Sequence, residues 1–189
     1  MSERRELVKS IEGIAYAYLI LHLDITFFGL NILPNWLGYI AIVHVLDVIS
    51  EEEPSAWLLR PLGILMIVWE LLCSVLGFAG VTWSSRGIDA LAAVIGLYFH
   101  FQLLTNLAAI AEKYDSPSKE KLLRLRTVRT IVMTVLSLPV HWEAYQVLSV
   151  VIIAVGLIVG FWTCIELFAL KKFLEPQEDA VQEEEKTED

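Results

Sequence analysis

Apolar runs recur along this chain, each close to the ~20 residues that carry a helix across a bilayer, and a water-soluble domain has no use for them. Hydrophobic residues make up 56% of the 189. The chain therefore reads as all-α, a polytopic membrane helix bundle. The sharpest break between runs is Leu30-Asn31-Ile32-Leu33-Pro34-Asn35-Trp36-Leu37-Gly38-Tyr39. Pro34 lacks a backbone N–H and pushes Leu33 out of the helical region, so one helix ends here and another begins. Asn31 and Asn35 are expected to satisfy the helix ends around it. Pro54, the polar stretch 113–121 and Leu138-Pro139 make further breaks. Ser55 and Ser116-Pro117 stand where helix starts are expected.

These breaks predict six transmembrane helices at about 10–30, 36–53, 56–81, 88–112, 122–138 and 141–174. The stretch 175–189 holds most of the acidic excess behind the net charge of −9 and has no apolar period, so it reads as a disordered, solvated acidic tail. With the N-terminus inside and six crossings, only Arg86 among the 14 Lys and Arg residues falls outside. If 36–53 turned back without crossing, most of these cations would lie outside instead. Both termini are thus expected to be cytoplasmic.

Charged and polar groups inside the spans are the sharpest functional signal, because charge in hydrocarbon is costly. Glu70 shares a helix face with Ser74 and Gly77. His100 continues the small-residue stripe of Ala92 and Gly96. His44 and Asp47 lie three apart on one face, which suits a hydrogen-bonded pair. Asp24 shares a face with Ala17 and Asn31, and His22 points nearly opposite. A buried Glu–His pair that stabilises the bundle and a proton or cation path both fit this pattern. His22, His44 and His100 lack metal-ligand spacing, so no metal or other cofactor is expected.

Small residues recur at four-residue spacing, Gly156 with Gly160, Ala92 with Gly96, and Gly13 with Ala17, which lets helices approach closely. Packing within the chain explains them, and so does a homodimer or another membrane-protein partner. Trp36, Trp83 and Trp142 fall together at the expected external boundary. An interfacial belt accounts for these tryptophans. An outer pocket that also takes Tyr39, Asp89, His141, Glu143 and Tyr145 accounts for the polar groups beside them.

The segment Asn31-Ile32-Leu33-Pro34-Asn35-Trp36-Leu37-Gly38-Tyr39 resembles a group of small bacterial multi-pass membrane proteins that carry such a motif after their first span. By its size, its six spans and Gly13-x-x-x-Ala17, the chain also resembles the substrate-binding subunits of energy-coupling-factor transporters. These resemblances imply a bacterial cytoplasmic membrane and, from the second, a solute-binding role. There is no GxSxG, HExxH or phosphate-cradling glycine loop, so neither an enzymatic activity nor a nucleic-acid partner is expected. The leading expectation is binding or transport of a small solute through an externally open pocket. A structural or assembly role, and then an intramembrane enzyme, stand behind it.

Overall fold

Buried side chains follow the helical period closely. In α1 (Ser2–His22) they include Leu7, Ile11, Ile14 and Tyr18, and in α2 (Asn35–Glu52) Gly38, Tyr39, Ile42, Leu46 and Ile49. The remaining helices are α3 (Leu59–Phe78), led in by a 3-10 turn over Pro54–Leu58, α4 (Arg86–Lys113), α5 (Ser118–Leu136) and α6 (Gln146–Glu188). The computed structural model describes residues 2–22, 26–27, 30–31, 34–81, 86–138 and 145–188, with side chains for 4–22, 34–81, 87–138 and 145–175. Asp24, Trp83, His141, Trp142 and Glu143 lie outside the described residues.

Each helix packs on its neighbours in sequence, and α6 returns to pack on α1, so the six close into a ring. Side-chain pairs show that successive helices alternate in direction. One end joins Arg60 to Asp47, Lys113 to Glu52, Lys121 to Glu166 and Lys171 to Glu12. That end thus collects the starts of α1, α3 and α5 with the ends of α2 and α4 and the later part of α6. The opposite end, the connection end, collects the last turns of α1, α3 and α5 with the first turns of α2, α4 and α6.

The helix ends have local causes. Pro54 stops α2, leaving Glu53 extended at φ −134 and ψ 96. At the end of α4, Asp115 takes φ 54 and Ser116 N–H donates to the Ala111 carbonyl at 2.8 Å. This is the reversal that satisfies orphaned last-turn carbonyls. Gly80 does the same after α3 at φ 68, with Val81 N–H donating to the Leu76 carbonyl at 3.0 Å, and glycine suits that backbone because it has no Cβ.

The first span ends at His22, not Leu30, and Thr26–Phe27 instead pairs antiparallel with Leu30–Asn31. Thr26 and Phe27 favour strands and Gly29 disfavours helix, which outweighed the apolar run. No side chain caps α2: Pro34 holds the cap position, and Asn35 instead donates to Glu70. Ser55 likewise caps nothing, but hydrogen-bonds across to Asn106 at 2.9 Å. Helix α6 continues past Leu174 to Glu188, through the stretch expected to be disordered. The Glu, Gln, Ala and Lys of that stretch are good helix formers, which a reading by charge alone passes over.

Three helical segments are long and apolar enough to cross a membrane: Pro54–Phe78, Gly87–Lys113 and Gln146–Glu175. The other three are shorter or more charged. From Ser10 onward α1 is only roughly 20 Å long. Asp47, Glu51 and Glu52 end α2, and α5 opens on Lys119, Lys121, Arg124 and Arg126.

The close α1–α2 approach gives a contrast. A Cβ on Gly38 would come 2.7 Å from Leu21 Cγ and 3.1 Å from the Ala17 carbonyl, whereas one on Gly13 meets Val45 Cγ1 at an ordinary 3.6 Å. Gly38→Ala is expected to lower the melting temperature in detergent, at a cost of about 1–3 kcal/mol. Gly13→Ala should be neutral or stabilising by up to ~1 kcal/mol, because alanine is the better helix former.

Candidate functional site: a polar cavity inside the helix ring

The ring encloses a cavity of about 440 Å³ lined from α2, α3, α4 and α5, with Leu21 of α1 beside it. It reaches from Asn35, Asp89 and Ser137, at the helix ends of the connection side, to His100, Arg126 and Arg129 at depth. Its apolar wall includes Met66, Trp69, Leu97, Phe101 and Met133.

The inner wall is a hydrogen-bonded chain across three helices. Tyr18 Oη lies 3.1 Å from His100 Nδ1, and His100 Nε2 lies 3.2 Å from Tyr39 Oη. A neutral imidazole donates at one nitrogen and accepts at the other, so one tyrosine accepts while the other donates. His100 and both tyrosines are buried, and the Phe99 ring stands edge-on to His100 and Tyr39.

Behind Tyr18, His22 stacks on its ring at 5.9 Å and bridges to α5. His22 Nδ1 is 2.6 Å from the Tyr18 carbonyl, and its Nε2 is 2.6 Å from Arg129 Nη1. A carbonyl only accepts and a guanidinium only donates, so His22 carries its proton on Nδ1 and accepts from Arg129 at Nε2. The Arg129 guanidinium also sits 5.3 Å over the Tyr18 ring. Gly160 of α6 makes the room, since a Cβ there would overlap the His22 ring.

Glu70 stands nearer the connection end. Asn35 Nδ2 donates to its Oε2 at 3.4 Å, and its backbone carbonyl takes the Ser74 hydroxyl. Glu70 therefore pairs with Asn35 and not with a histidine, because His100 spends both ring nitrogens on tyrosines. Glu70 and His100 share the cavity without forming a buried Glu–His pair.

The other expected residues divide cleanly. Tyr39 and Asp89 line the cavity, whereas Trp36 does not and Tyr145 is exposed. His44 and Asp47 do not join a buried cluster: both are exposed, and Asp47 pairs with Arg60 at 2.5 Å. The buried face of α2 runs through Tyr39, Ile42, Leu46 and Ile49, and the spacing of His44 and Asp47 points away from it. Among the described residues no three His, Cys, Asp or Glu side chains are placed to hold a metal.

The small-residue stripes are used inside the chain. Gly96 faces Met66 and the Tyr39 hydroxyl, Gly156 faces Val132, and Ala17 is fully buried. Ala92 lines the cavity. The Gly156–Gly160 stripe thus meets α5 and α1 of the same chain, which leaves it unavailable as a dimer seam.

Sequence reasoning missed Arg126 and Arg129. Both count toward the positive side of a topology argument, yet both line the cavity. The signal was present in the spacing Leu122, Leu125, Arg129, which places the arginine on the buried face of α5. No protein-family model, curated protein or solved structure matches the chain.

Proposed function

We propose that this chain is a multi-pass protein of a bacterial cytoplasmic membrane that binds a small solute in the cavity of its helix ring. All six helices cross in this reading, with both termini cytoplasmic. Alternating direction supports the six crossings. If α4 and α6 both cross in the same sense, the chain must return between them, and α5 packs between them in the ring. The division of the surface supports the bilayer position. Exposed apolar side chains cover α3 from Ile64 to Phe78, α4 from Ile88 to Tyr98 and α6 from Val147 to Ile165, while the ion pairs gather at the terminus end. From Val147 to Ile165 the helix rises about 27 Å, close to the hydrocarbon thickness.

The observation that carries the binding role is the cavity itself. Its volume falls in the range of small-molecule sites, and it combines an apolar wall with a few convergent polar groups. It reaches the connection end, which is external in the proposed orientation.

Cys73 provides the test. It is exposed and lines the cavity, while Cys164 is buried. A membrane-impermeant maleimide added to intact cells is expected to modify Cys73 and spare Cys164. At least one member of a library of small metabolites is expected to slow that labelling several-fold in purified protein. Labelling of Cys73 confined to inside-out vesicles would reverse the orientation. A library in which no compound slows labelling or raises the melting temperature would end the solute reading.

A further inference from the structure

We propose that the deep end of the cavity is an anion site, where Arg126 and Arg129 hold a carboxylate or phosphate carried by the ligand. This rests on the reading of the cavity as a binding site. Arg129 is only 6% exposed, lines the cavity and has an Nε with no hydrogen-bond partner. One turn earlier Arg126 lines the same cavity. It donates once to Thr105 Oγ1 at 3.1 Å, lies 4.5 Å over the Phe101 ring, and also has an unpartnered Nε. Among the described residues neither arginine has a carboxylate within ion-pair distance; the ion pairs there use other cations.

Among the described residues, the groups in contact with these guanidiniums are neutral: the Tyr18 and Phe101 rings, the lone pair of His22 and a hydroxyl. Such partners hold the side chains in place and leave two positive charges, one buried on Arg129 and one half-buried on Arg126, without a counter-ion among the described residues. Burying a cation without a counter-ion is strongly unfavourable, so an anion that enters gains most of its binding energy here. The planar guanidinium fork matches the oxygens of a carboxylate or phosphate.

Glu70 and Asp89 line the same cavity toward its mouth. Asp89 precedes His100 by a helical rise of roughly 16 Å, so this carboxylate sits toward the mouth and away from the His100 level. A bare anion passes the acidic pole at a cost. An amphoteric ligand, anionic at one end and cationic or hydrogen-bond donating at the other, satisfies both poles, with Trp69 and Met133 against its middle. A free zwitterionic solute has this chemistry, and so does the headgroup of a phospholipid.

The test uses the full chain in detergent and in lipid nanodiscs, read by tryptophan fluorescence and thermal melting. The probes are leucine, hexanoate, inorganic phosphate, hexylamine and hexanol. Leucine is expected to bind most tightly, with hexanoate or phosphate weaker and hexylamine silent. Arg126→Gln and Arg129→Gln should each weaken leucine binding at least tenfold, and Arg129→Lys should weaken it less than Arg129→Gln. Arg126 is half-buried, so its variant keeps the test open if Arg129→Gln does not fold.

If the source is lipid, phosphatidylglycerol nanodiscs should raise the melting temperature of the wild type over phosphatidylcholine alone, and the rise should vanish in the glutamine variants. Binding of hexylamine without any anion, or anion binding unchanged in both glutamine variants, overturns the anion site. Hexanol binding with no response to anions or lipid overturns it while leaving the cavity a solute site. Silence to every probe and lipid removes both.

Discussion

Gly160→Val should be among the most damaging single substitutions in the chain, costing about 3–5 kcal/mol from overpacking and a lost charge-assisted hydrogen bond together. A Cβ on residue 160 overlaps the His22 ring, and a β-branched side chain leaves that ring nowhere to sit. His22 is the one hydrogen-bond partner of the Arg129 guanidinium among the described residues, and Arg129 is buried. Expelling the imidazole therefore strands a buried cation as well as forcing α6 away from α1. Gly156→Ala is the control, because its Cβ meets Val132 Cγ1 at an ordinary 3.5 Å. It should cost less than ~1 kcal/mol. Equilibrium unfolding in mixed micelles measures both. A double variant, Gly160→Ala with His22→Ala, should recover part of the loss on the α6 side, since neighbours that share a contact are not additive. If Gly160→Val unfolds like Gly156→Ala, the seating of His22 does not hold the ring closed.

The same cluster shows what could be read from the sequence and what could not. Helix boundaries were legible near Pro34, Pro54 and the polar stretch 113–121, because prolines and polar runs act locally, whereas the positive φ of Asp115 was not. Glu70 and His100 were legible as residues of interest, since a polar group in an apolar span needs protein around it, and Tyr39 and Asp89 as members of a polar and aromatic group at the outer boundary. Which of them meet was not legible. His44 and Asp47 look paired by their spacing, yet the period of α2 turns both away from its core, and only the position of Arg60 on α3 explains Asp47. Arg129 was hidden for a different reason. Positive charge in a membrane sequence is first spent on deciding orientation, and a cation read as a boundary marker is no longer considered as a wall of a cavity. The charges of α1 and α2 hide a further feature. Glu12, Asp47 and Glu52 lower the apolar character of their helices, but each meets a cation from another helix. Hydropathy along one helix cannot register that compensation, because it belongs to the ring and not to the segment.

His100→Leu should destabilise the protein by about 2 kcal/mol, less than the same change would cost in a water-soluble core. Leucine fills similar volume, so the loss comes from Tyr18 and Tyr39, whose buried hydroxyls both depend on the imidazole. In the bilayer setting proposed above, the unfolded chain also finds polar partners, which keeps the figure at the low end. The informative variant removes all three groups, His100→Leu with Tyr18→Phe and Tyr39→Phe. No hydroxyl is then left unsatisfied, and most of the lost stability should return, because replacing every partner of a buried hydrogen bond with apolar groups is close to neutral. Stability and binding then separate. If the chain of Tyr18, His100 and Tyr39 only holds helices together, the repaired variant should bind the ligand proposed for the cavity as the wild type does. Tyr39 and His100 line that cavity, however, and Tyr18 lies under the Arg129 guanidinium. The expected result is a stable protein whose ligand affinity, measured by protection of Cys73 from a maleimide, falls at least tenfold. A fully restored affinity would make the chain a structural brace. A triple variant that stays as unstable as His100→Leu would mean that packing around the rings, not their hydroxyls, sets the cost.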